Sequence, residues 1–275
     1  MRGPLLIGPL ALDVHAEAPW DAALDALLTS YRPGAASSGG PSMSQPVTLA
    51  LRLLPPVDAL PKTKLPRFVG DDQLLGDRSE AWEARVDRAA QSATFWLHDG
   101  KPEAHVRREL VASALRVTLA TLAPERGGLL VHGAAAVHDG RALVFIGPSG
   151  EGKTTLARRL RAAGWTTLCD DAALITPTTV AATPLRGKED DARVGGSFPL
   201  RGLVFLEKGA PTLALTHLTA AEATARLMPR VFWYASAPTW EARLLATVSA
   251  IVERVPAYRL ASSLDHDPIP ALAAL

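Results

Sequence analysis

The sequence predicts an α/β fold in two parts, a smaller α/β region over residues 1–100 and a larger α/β domain over residues 101–275. Three observations predict it. The apolar run Ala142-Leu143-Val144-Phe145-Ile146 leads into a glycine-rich loop and then a helical pattern closing at Gly164, the order strand, loop, helix. Just upstream, Asp139-Gly140 separates two β-prone runs, a strong hairpin signal. The first hundred residues mix short alternating runs with one amphipathic helix. At 275 residues and 48% hydrophobic, the chain can bury a core as one large domain or two modest ones.

In order along the chain, residues 5–14 read as a strand and residues 20–31 as an amphipathic helix. Residues 33–46, rich in Gly, Ser and Pro, read as a loop or linker. Residues 47–54 are β-like, and residues 54–67, with four prolines, are irregular. Residues 82–87 and 93–98 alternate apolar and polar side chains and fit an antiparallel pair. Pro102 opens a long helix to about Ala123, with Val106, Leu110, Ala114, Val117 and Leu122 roughly on one side, and Gly127-Gly128 ends it.

The larger domain then starts with strands over 129–137 and 141–146 around the Asp139-Gly140 turn. After the loop, Leu156, Ala157, Leu160 and Ala163 share one helical face, and Gly164 is the expected stop. Residues 166–169 and 172–176 flank Asp170-Asp171 as short apolar runs. Residues 203–206 and 212–215 are β-like around a Lys208-Gly209 turn. Thr219 and Glu222 form a capping box for a helix through Met228, and a last helix spans 239–254, before Pro256.

The loop Gly147-Pro148-Ser149-Gly150-Glu151-Gly152-Lys153-Thr154 fits G-x-x-x-x-G-K-[ST], the pattern that holds nucleoside triphosphate phosphates. Its glycines let successive N–H groups turn toward phosphate oxygens, and the following helix adds the positive end of its dipole. Lys153 is placed for the β/γ-phosphates, the Thr154 hydroxyl for Mg²⁺, and Thr155 directly follows. The loop reads phosphates and not the base, so ATP and GTP both fit.

Asp170-Asp171 ends an apolar run seventeen residues beyond Lys153. An acid there suits a Mg²⁺ ligand, and a second acid offers a proton acceptor for an incoming hydroxyl. One of the two could instead simply begin a turn. His132, inside an apolar run, reads on its own as a core histidine. His132, His138 and an aspartate could be imagined around zinc, but Cys169 and the other histidines lack ligand spacing.

Bulk properties narrow the class further. A formal charge of +1 argues against nucleic-acid binding. The single cysteine, Cys169, leaves no intramolecular disulfide framework and suits a reducing compartment. Arg2, the apolar stretch 4–12 and Ala16-Glu17-Ala18 have the outline of a secretory signal, yet Gly8 and Pro9 interrupt a short core. No run reaches the length of a membrane span, and the expectation is a cytoplasmic protein.

Taken together, His132-Gly133, the loop at 147–154, Gly164, Asp170-Asp171 and Leu200-Arg201-Gly202-Leu203 resemble the HPr serine kinase/phosphorylase family, well over about residues 129–206 and loosely elsewhere. The resemblance implies an HPr kinase/PEP carboxykinase-like P-loop fold and ATP- and Mg²⁺-dependent transfer of the γ-phosphoryl group to a serine or threonine hydroxyl. It implies Asp171 as proton acceptor, and His132 as an active-site histidine held by Asp170. Lys153 would hold the phosphates, and Thr154 and Asp170 the metal. Homo-oligomerisation is also a property of such relatives.

The chain departs from the family at Thr155, where an acid is usual, and at Pro199, where a metal-binding glutamate is usual; the long Gly-rich segment is missing. These departures imply a kinase without phosphorylase activity. Val255-Pro256-Ala257-Tyr258-Arg259-Leu260 resembles shortened relatives that accompany peptide modification, which points to a peptide or protein acceptor, such as a biosynthetic precursor peptide. A small-molecule kinase, a plain NTPase and a non-catalytic nucleotide-binding regulatory module remain as alternatives. Arg186-Gly187-Lys188 and Arg193-Val194-Gly195-Gly196 form either a loop closing over phosphates or an ordinary solvated loop.

Overall fold

The computed structural model describes residues 5–29, 31–32, 46–53, 67–68, 74–75, 82–97, 103–148, 150–185, 193–234, 237–263 and 265–275. The fold is mixed α/β, with two main sheets and six α-helices among those residues. None of these helices is long and apolar enough to cross a membrane.

The N-terminal part contains β1 (Leu5–Ile7), β2 (Leu10–Ala16), α1 (Trp20–Thr29), β3 (Tyr31–Arg32), β4 (Val47–Leu53), β5 (Arg67–Phe68), β6 (Leu74–Leu75), β7 (Trp82–Asp87) and β8 (Ser92–Leu97). Its sheet runs β1-β2-β4-β8-β7. The strand expected over 5–14 is in fact a hairpin, because Gly8 takes φ 56° and reverses the chain before Pro9. The pair expected over 82–98 forms as β7 and β8, with Trp82 opposite Leu97 and Asp87 opposite Ser92. Most of the linker expected over 33–46, the irregular stretch over 54–66, and Pro102 lie outside the described residues.

Helix α2 (Ala104–Leu122) follows and ends in a 3₁₀ turn, Ala123–Arg126, closed by Gly127. Val106 and Leu110 are only half-buried, whereas nearly every residue from Val111 to Leu122 is buried. The helix is therefore covered almost all round in its second half, because it lies between the two sheets. One apolar cluster holds α1, α2 and the inward side chains of the N-terminal sheet together with Leu130, Ala172, Leu174, Ala181 and Leu185.

The larger sheet contains β9 (Leu129–His138), β10 (Arg141–Ile146), β11 (Thr166–Cys169), β12 (Ala172–Ile175) and β13 (Thr179–Ala181). It is completed by β15 (Ser197–Lys208), β16 (Ala214–His217) and β17 (Ala257–Ser262); β14 (Arg193–Val194) pairs apart from it, with β3. The hairpin β9–β10 turns at Asp139 and Gly140, both at positive φ (49° and 73°), as a type I′ turn requires. Helices α3 (Lys153–Ala162), α4 (Ala220–Leu227), α5 (Pro238–Arg254) and α6 (Ile269–Ala273) pack on this sheet. Helix α4 starts at the expected Thr219/Glu222 capping box, while α6 shows that α5 is not the last helix.

Pairings in this sheet close on themselves, β10-β9-β12-β13-β15 and back to β10. Closure is possible because β9 and β15 are long enough to change partners along their length. β9 pairs with β12 through residues 129–132 and with β10 through residues 133–138. The β-like runs expected around Lys208-Gly209 do not pair with each other; β17 lies between them, parallel to β15 and antiparallel to β16.

The run 142–146 is apolar throughout because both of its faces are buried. Ala142, Val144 and Ile146 join the core under α4 and α5, and Leu143 and Phe145 join the core under α3 and α6. The two parts of the chain are further tied by Arg88. It reaches Glu125 (3.3 Å) and Thr239 (3.0 Å) from the turn after β7.

Trp240 sits at the centre of this joint, fully buried, with its Nε1 donating to Thr121 O at 3.0 Å. Trp240→Ala should cost about 3–5 kcal/mol in urea unfolding. Trp240→Phe, which keeps most of the volume but removes the donor, should cost about 1 kcal/mol. Equal losses for the two variants would contradict a packing role for the indole.

Candidate active site

The loop 147–154 leaves the C-terminal end of β10, beside the parallel strands β15 and β17, the edge where open α/β sheets present ligands. Gly150 and Gly152 take φ of 90° and 92°, and a Cβ added to either would meet nothing within 4 Å. Their conformation, rather than crowding, explains the glycines, and the room around them is open for a ligand. No side chain caps α3 at Gly152, so its first amide groups are not claimed by a cap. Ser149 lies outside the described residues.

Lys153 is buried, and its Nζ donates to Gly147 O (2.7 Å) and Pro148 O (3.0 Å). The ammonium thus folds back onto its own loop. Burial lowers its pKa, with Arg230 in the same direction, while Asp171 and Glu151 oppose. Glu151 ties the loop to the end of β15, its Oε2 accepting from Lys208 N at 2.8 Å. Thr154 is half-buried and Thr155 exposed. On the outer side of the loop, Gly150, Glu151, Thr155, Leu206, Leu260 and Ser262 line a cavity of about 160 Å³.

Behind the loop stand His132 and Asp171. On β9, Leu130 points into the core beneath α2, and Ala134 and Ala136 into the core beneath α3. His132 shares their side of the strand and falls at the seam between the two cores, one-third exposed. β10 passes close by Gly133: a Cβ there would sit 2.9 Å from Phe145 O. The Gly133 N–H donates to Asp171 O at 3.0 Å, and His132 Nδ1 lies 3.1 Å from Asp171 Oδ1. The partner of His132 is therefore Asp171 and not the expected Asp170. The reason is register, since Ala172 lies opposite His132 and brings the adjacent Asp171 alongside. Asp170 is buried at 6% exposure.

Burial alone would raise the Asp171 pKa, but the hydrogen bond and charge of His132, with Arg116 and Lys153, outweigh it and leave the carboxyl below its ordinary value of 3.8. Lys153 and Asp171 thus lie in each other's field. Among the described residues, no three His, Cys, Asp or Glu side chains converge as a protein-only metal cage.

Three neighbours carried no motif. Arg116 on α2 lies 5.8 Å from the Phe232 ring centroid, and the Phe232 ring meets His132 edge-on at 6.1 Å. Arg230 ends the turn Met228–Arg230, whose next residue, Val231, bridges Val131 on β9. A lone arginine between the buried Leu115 and Val117 was the available sign for Arg116; Arg230 and Phe232 had none. Of the basic loop expected over 186–201, residues 186–192 lie outside the described residues, Arg193–Val194 pair with β3, and Ser197 onward is strand.

The sequence matches the family model of SynChlorMet cassette protein ScmC over residues 97–266, more than half of the chain, and the chain belongs to that family. Comparison with curated proteins finds no match. Among solved structures, the chain has a weak match to the Hpr(Ser) kinase/phosphatase from Coxiella burnetii, at 10% identity and a TM-score of 0.30, covering 52% of this chain and 89% of that one.

The folded-state pKa of Asp171 is lowered, so its ionised form favours the native state above the unfolded value, and this is lost as pH falls through the lowered one. The stability difference between the wild type and Asp171→Asn should therefore hold at pH 5 and above and shrink below about pH 4 in urea titrations. A difference that grows on acidification would contradict the assigned environment.

Proposed function

We propose that this ScmC-family chain is an ATP- and Mg²⁺-dependent kinase that phosphorylates a serine or threonine hydroxyl of a peptide or protein. The observation that carries the reading is the placement of an ionised carboxylate, Asp171, within the field of the loop lysine and 3.1 Å from His132. A plain phosphate-binding loop needs neither group.

The loop supports a triphosphate by its open glycine conformations, the uncapped start of α3 and the Lys153 ammonium, which would exchange its two carbonyl partners for phosphate oxygens. The 160 Å³ cavity beyond Gly150 gives the nucleoside end the nearest recess, and nothing there distinguishes ATP from GTP. The Thr154 hydroxyl and the Asp170 carboxylate are the donors that would hold Mg²⁺. One hydroxyl and one carboxylate suit this cation, which keeps phosphate oxygens and waters as its remaining ligands. When bound, it supplies neutralisation of phosphate charge.

In the transfer, the acceptor oxygen bonds to the γ-phosphorus, the bond from that phosphorus to the β–γ bridging oxygen breaks, and the hydroxyl proton passes to Asp171. ADP leaves with the bridging oxygen's electron pair. A carboxyl held below its ordinary pKa is a weak base. That suffices where the transition state is loose and the hydroxyl proton departs late, so Asp171 chiefly orients the nucleophile. His132 holds Asp171 in that orientation.

Neither Thr155 nor Pro199 can supply a carboxylate, and this supports a one-way kinase. Phosphorylated product incubated with inorganic phosphate should yield no pyrophosphate; its appearance would refute this part of the reading.

Asp171→Asn should lower ADP release in the presence of acceptor by about 10²–10⁴-fold while changing affinity for a fluorescent ATP analogue only a few-fold. Lys153→Ala should instead abolish analogue binding. Unaltered turnover in Asp171→Asn would exclude the aspartate from the chemistry.

A further inference from the structure

Arg116 and Arg230 remain after the phosphate loop, the metal donors and the acid–histidine pair have been assigned. Neither forms a salt bridge or hydrogen bond among the described residues, and the Nε of Arg116 is buried without a partner. A guanidinium presents five donors in a planar fork suited to carboxylate and phosphate oxygens. A half-buried guanidinium that keeps donors open beside the centre is available to the carboxylate or phosphate oxygens of a ligand.

Both arginines border the centre, each from a different element. Arg230 follows Pro229 in the turn leading onto β9, and continuing the Val131–Val231 bridge by one antiparallel step places it opposite His132. Its charge is felt at Lys153, on the loop side. Arg116 approaches from α2, across the Phe232 ring that walls off His132, and its charge is felt at Asp171. The Asp171 carboxylate is near both Lys153 and Arg116, so an acceptor hydroxyl held on it would have both cations as neighbours. The part of the acceptor next to that hydroxyl would then face the guanidinium and the aromatic wall.

We propose that Arg116, backed by Phe232, is an anion subsite for the phosphoryl acceptor, so that the hydroxyl phosphorylated here is flanked by a carboxylate. This rests on the kinase reading and narrows its substrate class. The carboxylate comes either from an Asp or Glu side chain beside the acceptor Ser or Thr in a peptide, or from the carboxyl group of a small hydroxy acid. Arg116 touches the acceptor and takes no part in bond breaking; the hydroxyl proton still goes to Asp171 and the leaving group is still ADP.

The test uses the full chain with ATP and Mg²⁺. One arm is a Ser/Thr peptide library randomised at the two positions on each side of the acceptor. The other is a panel of free hydroxy acids, L-serine among them, each paired with its neutral amide. Products are read as an 80 Da mass gain, the mass of one transferred phosphoryl group. Peptides that gain mass should be enriched in Asp or Glu, or hydroxy acids should react at least tenfold faster than their amides; the arm that responds identifies the source. Arg116→Gln should erase that preference and raise the acceptor KM at least tenfold, with the affinity for a fluorescent ATP analogue unchanged. Arg116→Lys, which keeps the charge, should restore part of it.

Enrichment of neutral or basic flanks would overturn the proposal, as would equal rates for acids and amides. So would an Arg116→Gln enzyme that keeps the wild-type preference, or a wild-type chain that binds the ATP analogue yet modifies neither arm. A chain that fails to bind the analogue at all would instead overturn the kinase reading beneath it.

Discussion

The larger sheet depends on one constraint, the change of partners along β9 between His132 and Gly133. Before this point the strand pairs with β12, and after it with β10 and β11. The switch requires β10 to approach so closely that only a glycine fits against Phe145 O. It also frees the Gly133 amide to fix Asp171 from behind while His132 holds its carboxylate from the side. A single irregularity of pairing therefore closes the sheet and brings His132 of β9 against Asp171, just ahead of β12.

The polarity of the site follows from where this switch falls. The residues of β9 facing α2 and α3 are buried in two separate clusters, and His132, in the gap between them, is partly exposed. Helix α3 enters the gap with Lys153 and helix α2 with Arg116. The carboxylate at the centre is consequently set among cations, which keeps it ionised despite burial. The N-terminal sheet contributes by packing α2 against the larger sheet, so that residues far ahead of the loop in sequence shape the centre.

Local chemistry made much of this visible in the sequence. The loop, the Asp139-Gly140 turn, the capping box at Thr219 and the alternation in 82–97 are short-range signals, and each appears where the pattern puts it. What was hidden depended on long-range pairing. Nothing in Ala257-Tyr258-Arg259-Leu260 announces a strand that slots between β15 and β16. Choosing Asp171 over Asp170 as the partner of His132 needs the β9–β12 register, which no local pattern encodes. The surroundings of Arg116 depend on the second sheet that covers its helix, which the periodicity of the helix alone does not encode.

The contact of Lys153 with Gly147 O and Pro148 O ties the first residue of α3 back to the end of β10. Both acceptors are neutral carbonyls, so the ammonium keeps its charge and still contributes to the field around the loop, a contribution that weakens with ionic strength. The side chain thus acts as a clasp: any displacement of the start of α3 is transmitted to the backbone of Gly147 and Pro148, and helix and loop respond to a disturbance as one piece.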